Sequence, residues 1–232
     1  MNKVYAVGVG PGSPKYVTDV VKEAITKCDV VIGYGYTIKT IEEHVKGKKI
    51  VEVTMQNQED AYQEISKEGN HTILVPFTGD VNFSESEVVD RLIEIFDEVE
   101  IIPGISSTQV AASRAKVPTD KSKVITMHIS TSIEEKKLEL AKALIDGYSV
   151  ILVPRPWPKV PEKHFMQSEI AKYLREKGFD TSKMKIHVYE SITTENETNY
   201  VGTVDKLEGK EFSDLSVMVF NQATLESYIN FK

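Results

Sequence analysis

The stretch "VYAVGVGPGSPKYVT" (Val4–Thr18) decides how the rest of the chain is read. An alternating apolar run breaks into three glycines and two prolines within seven residues. A strand that ends in a glycine-rich turn brings main chain close to something, often a phosphate. A dinucleotide fingerprint needs G-x-G-x-x-G, but Gly8-Val9-Gly10 is followed by Gly12, one place early, and Ser13 occupies the third position. Pro11 and Pro14 delay the helix and remove N–H groups that a phosphate would need. No acidic residue closes a second strand about 20 residues on, where a ribose would be held. No Gly-Lys-Ser/Thr occurs either. The loop is a poor phosphate cradle.

Working outward, strand and helix patterns alternate through the first half. Strands are expected at Val4–Val9, Val30–Gly33, Ile50–Val53, Thr72–Phe77 and Val99–Ile102. Helices are expected at Asp19–Cys28 behind Thr18 as N-cap, Ile38–His44, Glu59–Glu68, and Glu85–Phe96 behind Ser84 as N-cap. In the last of these Val88, Leu92, Ile95 and Phe96 form one apolar stripe. Such βαβα repetition predicts a mostly parallel sheet covered on both faces, with ligands outside the carboxyl ends of its strands. After a pause at "VPTDKS" (Val117–Ser122) the pattern restarts: strand Lys123–Ile129, helix Ile133–Ile145, strand Val150–Pro154 and a helix within Glu162–Lys177. Strands Lys185–Glu190, Tyr200–Val204 and Leu215–Phe220 follow with little helix between them, so antiparallel pairing is expected there. The predicted class is α/β, as two α/β domains, residues 1–116 with a mostly parallel sheet and residues 117–232 with a mixed one.

Composition narrows the function. The 232 residues can bury a full core, and 28 Lys+Arg against 35 Asp+Glu give a net charge of −7. An acidic protein is a poor match for a phosphate backbone, so nucleic acid is not the expected partner. The single Cys28 excludes an internal disulfide framework and reads as a buried structural thiol in a reducing, cytoplasmic setting. No apolar run approaches a membrane span. The five histidines show no metal-ligand spacing, so no protein-bound metal is expected.

Three loops stand at predicted strand ends. In "FTGDVNF" Gly79-Asp80 follows a strand directly; the carboxylate suits a ribose, an ammonium or main-chain N–H groups, and a plain Asx turn is the other use of the same residues. In "IIPGISSTQVAASRA" Ser106 and Ser107 open a helix of small residues, which permits close approach by a ligand or by a neighbouring element. "PRPWPKVPEKH" reads as a rigid surface loop on which Arg155 or Trp157 can meet an acidic, planar ligand.

Together these loops resemble a specific set. "VGVGPGSPKYVT" resembles the G-x-G-P-G-[DS]-P-x-x-[LV]-T motif of the tetrapyrrole (corrin/porphyrin) methyltransferases, "FTGDVNF" their G-D-P-x-F segment, and "VEIIPGISS" their V-x-V-I-P-G-[IV]-S-S. They occur in family order over about the first half of the chain. "MHIS" sits where the C5-methylating branch carries a His-Gly, with Ile129 after His128, and Val81 replaces the proline after Gly-Asp.

The resemblance implies S-adenosyl-L-methionine as methyl donor in a cleft between the two domains, and a cobalt-precorrin or related tetrapyrrole as substrate, methylated on carbon in anaerobic cobalamin biosynthesis. Cofactor contacts carry over to Gly79, Asp80, Phe83, Ser106 and Ser107, and more loosely to Leu152, Val153, Pro154, Gly202 and Thr203. The glycine-rich loop (Gly10, Pro11, Gly12, Ser13 and Lys15) and Arg155 are expected on the substrate. Methyl transfer from a sulfonium needs alignment and exclusion of water more than strong acid–base help; His128 is the one candidate base. A homodimer and a separate C15-methylating decarboxylase as pathway neighbour are further expectations. Other readings are another enzyme of this fold, such as a uroporphyrinogen methyltransferase or a diphthine synthase, and a non-catalytic cofactor- or corrinoid-binding protein. A polycarboxylate substrate on an acidic protein also calls for local cations, with Lys15, Arg114, Lys116, Arg155 and Lys159 as candidates.

Overall fold

The computed structural model describes residues 1–83, 85–157 and 164–222, in two compact units, Met1–Ser106 and Ser107–Lys232. The first unit is a parallel five-stranded sheet in the order β3-β2-β4-β1-β5. Its strands are β1 (Lys3–Gly8), β2 (Val30–Gly33), β3 (Lys49–Glu52), β4 (Thr72–Phe77) and β5 (Glu98–Ile102). Parallel neighbours need crossovers, supplied by α1 (Asp19–Lys27), α2 (Gly35–Thr40), α3 (Gln58–Glu68) and α4 (Ser86–Ile95). Side chains alternate across a strand. Val4 and Ala6 of β1 therefore enter one core with Tyr62 of α3 and Leu92 of α4, while Tyr5 and Val7 enter another with Val21 and Ile25 of α1. A sheet covered on both faces is what runs such as "TILVPF" require.

Local chemistry sets the ends of these helices. Thr18 Oγ1 accepts from Val21 N at 3.4 Å and starts α1 as expected. Cys28 closes that helix, buried, with its Sγ donating to Ile25 O and its thiol pushed up by burial. α2 begins three residues earlier than the expected Ile38, because Tyr34 O accepts from both Thr37 N and Ile38 N directly behind β2. α4 carries the predicted stripe, with Leu92 and Phe96 buried and Val88 and Ile95 packed against them. Glu85 holds its N-cap position without a side-chain cap bond; the expected cap, Ser84, lies outside the described residues.

The second unit is a mixed sheet in the order β11-β10-β12-β7-β6. β6 (Ser122–Thr126) and β7 (Ser149–Val153) run parallel through the crossover α6 (Glu134–Ile145). β10 (Lys185–Glu190), β11 (Thr198–Thr203) and β12 (Ser216–Phe220) join by antiparallel ladders, as expected for strands with little helix between them. β8 (Arg155–Pro156) and β9 (His164–Phe165) form a small ribbon ahead of α7 (Gln167–Glu176). β6 stops short of the expected Ile129: His128 N turns back to Thr126 Oγ1 and Ile129 N to Met127 O. α5 (Ser107–Ala115) packs on β7 and β12 through a face that includes Ala111, Ala112 and Ala115, so the division falls after Ser106 rather than after the expected residue 116. Among the described residues no helix is long and apolar enough to cross a membrane.

Candidate active site

The loops that follow β4, β1 and β5, three neighbours in the first sheet, are joined by main chain alone. Gly10 N donates to Gly79 O at 3.2 Å and Gly79 N to Gly10 O at 2.8 Å, an isolated antiparallel bridge between the glycine-rich loop after β1 and the "FTGDVNF" loop after β4. Gly10 and Gly79 take φ of 84° and 75°, the left-handed region that glycine enters without penalty. A Cβ on Gly8 would stand 2.5 Å from Gly79 O and 2.6 Å from Gly104 N, and one on Gly104 would strike Gly79 O and Gly8 O. Gly8 and Gly10 of "GVGPG" are therefore there so that three loops can touch, and with Gly79 and Gly104 they form a clamp at the carboxyl ends of the strands.

Around this clamp the side chains are set by short-range bonds. Pro11 is buried, Gly12 and Ser13 are half-buried, and Lys15 is exposed. Ser13 Oγ accepts from Lys15 N, and Thr40 Oγ1 donates to Gly12 O at 3.5 Å, tying α2 to the loop. Asp80 Oδ1 accepts from both Asn82 N and Asn82 Nδ2 at 3.1 Å, and Phe83 N donates to Asp80 O, so the Asx turn is present. Val81, standing where the family pattern has proline, is buried among Phe77, Val89 and Leu92 and anchors the loop to the core. Oδ1 being engaged, a ligand donor would meet Asp80 at Oδ2. Phe83 is half-buried and Ser106 buried just before α5, which Ser107 opens.

In the second unit, Leu152 is buried in the core, so only its main chain can serve a ligand; Val153 is half-buried and Pro154 buried. Gly202 lies under the Tyr200 ring, whose hydroxyl a Cβ would strike. The Thr203 hydroxyl is engaged by Asp205 Oδ1 at 2.5 Å. His128 is exposed beyond β6, edge-on to Trp157 at 5.5 Å between ring centroids. Partial desolvation by its neighbours, and then the Arg155 charge, hold its imidazole below the usual histidine range, with Asp214 opposing.

Arg155 departs from expectation. "PRPWP" does not begin as a surface loop: Arg155 is 2% exposed, its guanidinium 4.6 Å from the centre of the Trp157 ring and its Nη2 donating to Ser130 O at 3.2 Å. Strand pairing of Arg155 with Phe165 holds this segment in a ribbon, and the aromatic face offsets part of the buried charge. Nε has no hydrogen-bond partner among the described residues. Of the other expected cations, Arg114 is paired with Glu197 at 2.9 Å, Lys116 is exposed, and Lys159 lies outside the described residues.

Sequence reasoning passed over Tyr34, Tyr36 and Glu85, which the structure gathers at the carboxyl ends of β2 and β4. Tyr34 and Tyr36 stack with centroids 5.5 Å apart and planes 10° from parallel. The signal was "GYGYT" directly behind a strand, where alternating glycines expose alternating rings.

Comparison with known proteins gives this geometry a setting. Residues 3–208 match the family model of the Tetrapyrrole (Corrin/Porphyrin) Methylases. The chain is 28% identical over 222 residues to the probable cobalt-precorrin-7 C(5)-methyltransferase of Methanocaldococcus jannaschii, covering 94% of this chain and 97% of that one. It shares its fold with the methyltransferase CobJ, at a TM-score of 0.75 and 19% identity, with 95% of each chain covered. It also shares it with the uroporphyrin-III C-methyltransferase of Thermus thermophilus complexed with S-adenosyl homocysteine, at a TM-score of 0.71 and 16% identity over 95% of this chain and 92% of that one.

Proposed function

We propose, from the premise that this chain belongs to the tetrapyrrole (corrin/porphyrin) methylases and is a methyltransferase, that it methylates C5 of a cobalt-precorrin with S-adenosylmethionine. The observation that carries this reading is the end-to-end relationship with the M. jannaschii C(5)-methyltransferase, which leaves almost nothing of either chain unmatched. S-adenosylmethionine supplies a methyl group on a sulfonium, already electrophilic. The task left to the chain is to hold, orient and keep water out.

The clamped loops suit that task. Main-chain contacts among Gly8, Gly10, Gly79 and Gly104 fix the loops before any ligand arrives, and preorganisation of this kind lowers the ordering cost of binding. The Gly79-Asp80 turn is assigned to the methyl donor, and Pro11 to Lys15 to the macrocycle. His128, neutral at physiological pH by its lowered pKa, is the assigned proton acceptor. The same reading makes the protein a cytoplasmic homodimer working beside a separate C15-methylating decarboxylase.

A methyl-transfer assay on a panel of cobalt-precorrins and uroporphyrinogen III, read by mass spectrometry, tests the proposal. One added methyl at C5 of a cobalt-precorrin is the expected product; methylation of uroporphyrinogen alone would move the protein to another branch. For the donor site, Asp80→Ala should weaken S-adenosylhomocysteine binding by about 1–3 kcal/mol, the cost of losing a hydrogen bond to a charged group. Calorimetry showing wild-type affinity in that variant would take Asp80 out of the site.

A further inference from the structure

We propose that Tyr34, Tyr36 and Glu85 form the recognition wall for a flat macrocycle bearing carboxylates: the stacked rings take its face, and the Glu85 carboxyl takes an acid group at its rim. The proposal rests on the tetrapyrrole reading of the site and names the side chains that would read the substrate.

The geometry is that of a platform fixed at its root and open at its tip. Tyr34 donates its hydroxyl to Gln58 Oε1 at 3.1 Å, and Gln58 is itself buried. Behind it stands Tyr62, fully buried, and Thr37 Oγ1 donates to Tyr34 O from the first turn of α2. A close approach to β4 holds the end of β2: a Cβ on Gly33 would stand 2.8 Å from Pro76 Cγ. Tyr36, stacked nearly parallel on Tyr34, is by contrast 58% exposed. Of these two stacked rings, one anchored and one largely exposed, the outer one presents the apolar face that a conjugated macrocycle stacks on. Thr40, at the end of α2, reaches Gly12 O, so the platform and the glycine-rich loop belong to one surface.

Glu85 adds the polar half. It sits part-buried at the head of α4, and its charge is felt by Tyr34 and Tyr36 behind β2 and by Tyr62 on α3; Arg91 on α4 is the cation felt by Tyr34 and Tyr62. Burial pushes the Glu85 carboxyl up to about 7. Below that pH it is neutral and can donate to a ligand carboxylate; above it, it is an anion and repels one. Affinity for a polycarboxylate should therefore fall as pH rises through 7, beyond any change owed to the ligand's own acids.

Uroporphyrin III is a suitable probe, being flat and carrying carboxylates on every ring. Its affinity, read from the Soret band, should drop about tenfold in the wild-type protein between roughly pH 6 and pH 8.5, as one hydrogen bond is exchanged for a repulsion. Glu85→Gln, an amide at every pH, should flatten that difference to the residual slope of the ligand. Tyr36→Ala should weaken binding about fivefold to tenfold at both pH values, and Tyr36→Phe should restore it. S-adenosylhomocysteine binding should be unchanged in all three variants. If it is absent from the wild-type protein, the methyltransferase reading falls and this proposal with it. If it is present and the Glu85→Gln and wild-type profiles superimpose, the recognition wall alone is wrong. A Tyr36→Ala variant that loses the nucleoside and keeps the porphyrin would likewise overturn it.

Discussion

Gly104→Ala should cost about 3 kcal/mol, the upper part of the range for overpacking a filled interior. The added methyl meets Gly79 O and Gly8 O, both main-chain atoms, and neither can rotate away as a side-chain end would. Relief would require β1 or the Gly79 loop to move, and each is held in the ladder: Gly8 pairs with Phe77, and Val9 N donates to Phe77 O at 2.8 Å. For a chain of this length the loss corresponds to a melting temperature lower by roughly 6–12 °C. Any form that stays folded should bind S-adenosylhomocysteine poorly, because displacing Gly79 carries Asp80 with it. Gly47→Asn makes the control. Gly47 has a left-handed backbone, which asparagine tolerates, and open space around it, so its loss should stay within about 1 kcal/mol. Thermal melts that rank the two variants equally would show that the clamp is slack.

The second large effect concerns Arg155. Arg155→Ala should destabilise by about 2–4 kcal/mol, because a large buried side chain leaves a cavity beneath Trp157. Arg155→Met should lose much less, under about 1.5 kcal/mol, since it fills similar volume and removes a buried cation with an unpartnered Nε. Arg155→Lys should fall nearer to alanine: its compact ammonium lacks the plane that lies on the indole and is harder to desolvate. A separate readout is the His128 titration by NMR. The Arg155 charge holds that imidazole down, so the methionine variant should titrate at higher pH. Methyl transfer that survives in Arg155→Met would assign Arg155 to holding Trp157 and Ser130. Loss of transfer in a folded methionine variant would return it to the substrate.

Most of the architecture was legible because it rests on periodicity. "VVIG", "TILVPF" and "KIHVYE" are strands over the residues expected, since buried apolar runs and clean alternation leave few other solutions. Strand β6 was read too long because "VITMHIS" stays apolar while its main chain turns back at Thr126, a matter of side-chain-to-backbone bonding that hydropathy does not register. The three loop motifs follow β1, β4 and β5 at their carboxyl ends, as the alternation of strand and helix predicts. What they could not convey is why glycine is needed there, since the reason lies in residues 70 and more positions away: Gly8 needs Gly79 and Gly104. Arg155 was misplaced for a related reason. Four prolines and a tryptophan read as a surface segment, yet pairing with Phe165 holds a charged side chain, Arg155, in the interior. Glu85 was seen only as a helix residue, because burial of a carboxyl depends on the tyrosines that two other elements bring to it.

The Gly10–Gly79 bridge has an evolutionary consequence. It is written in amide and carbonyl groups, so it is indifferent to which side chains the loops display. Exposed and half-buried positions such as Ser13, Lys15 and Phe83 can be exchanged while the loops keep their places. Regiochemistry can then drift from one ring carbon to another by point substitution, with the scaffold unchanged. A lineage of enzymes that decorate successive positions of one macrocycle would arise readily from gene duplication on such a frame, and redesign of this protein toward a new substrate should begin at those positions and leave the glycines alone.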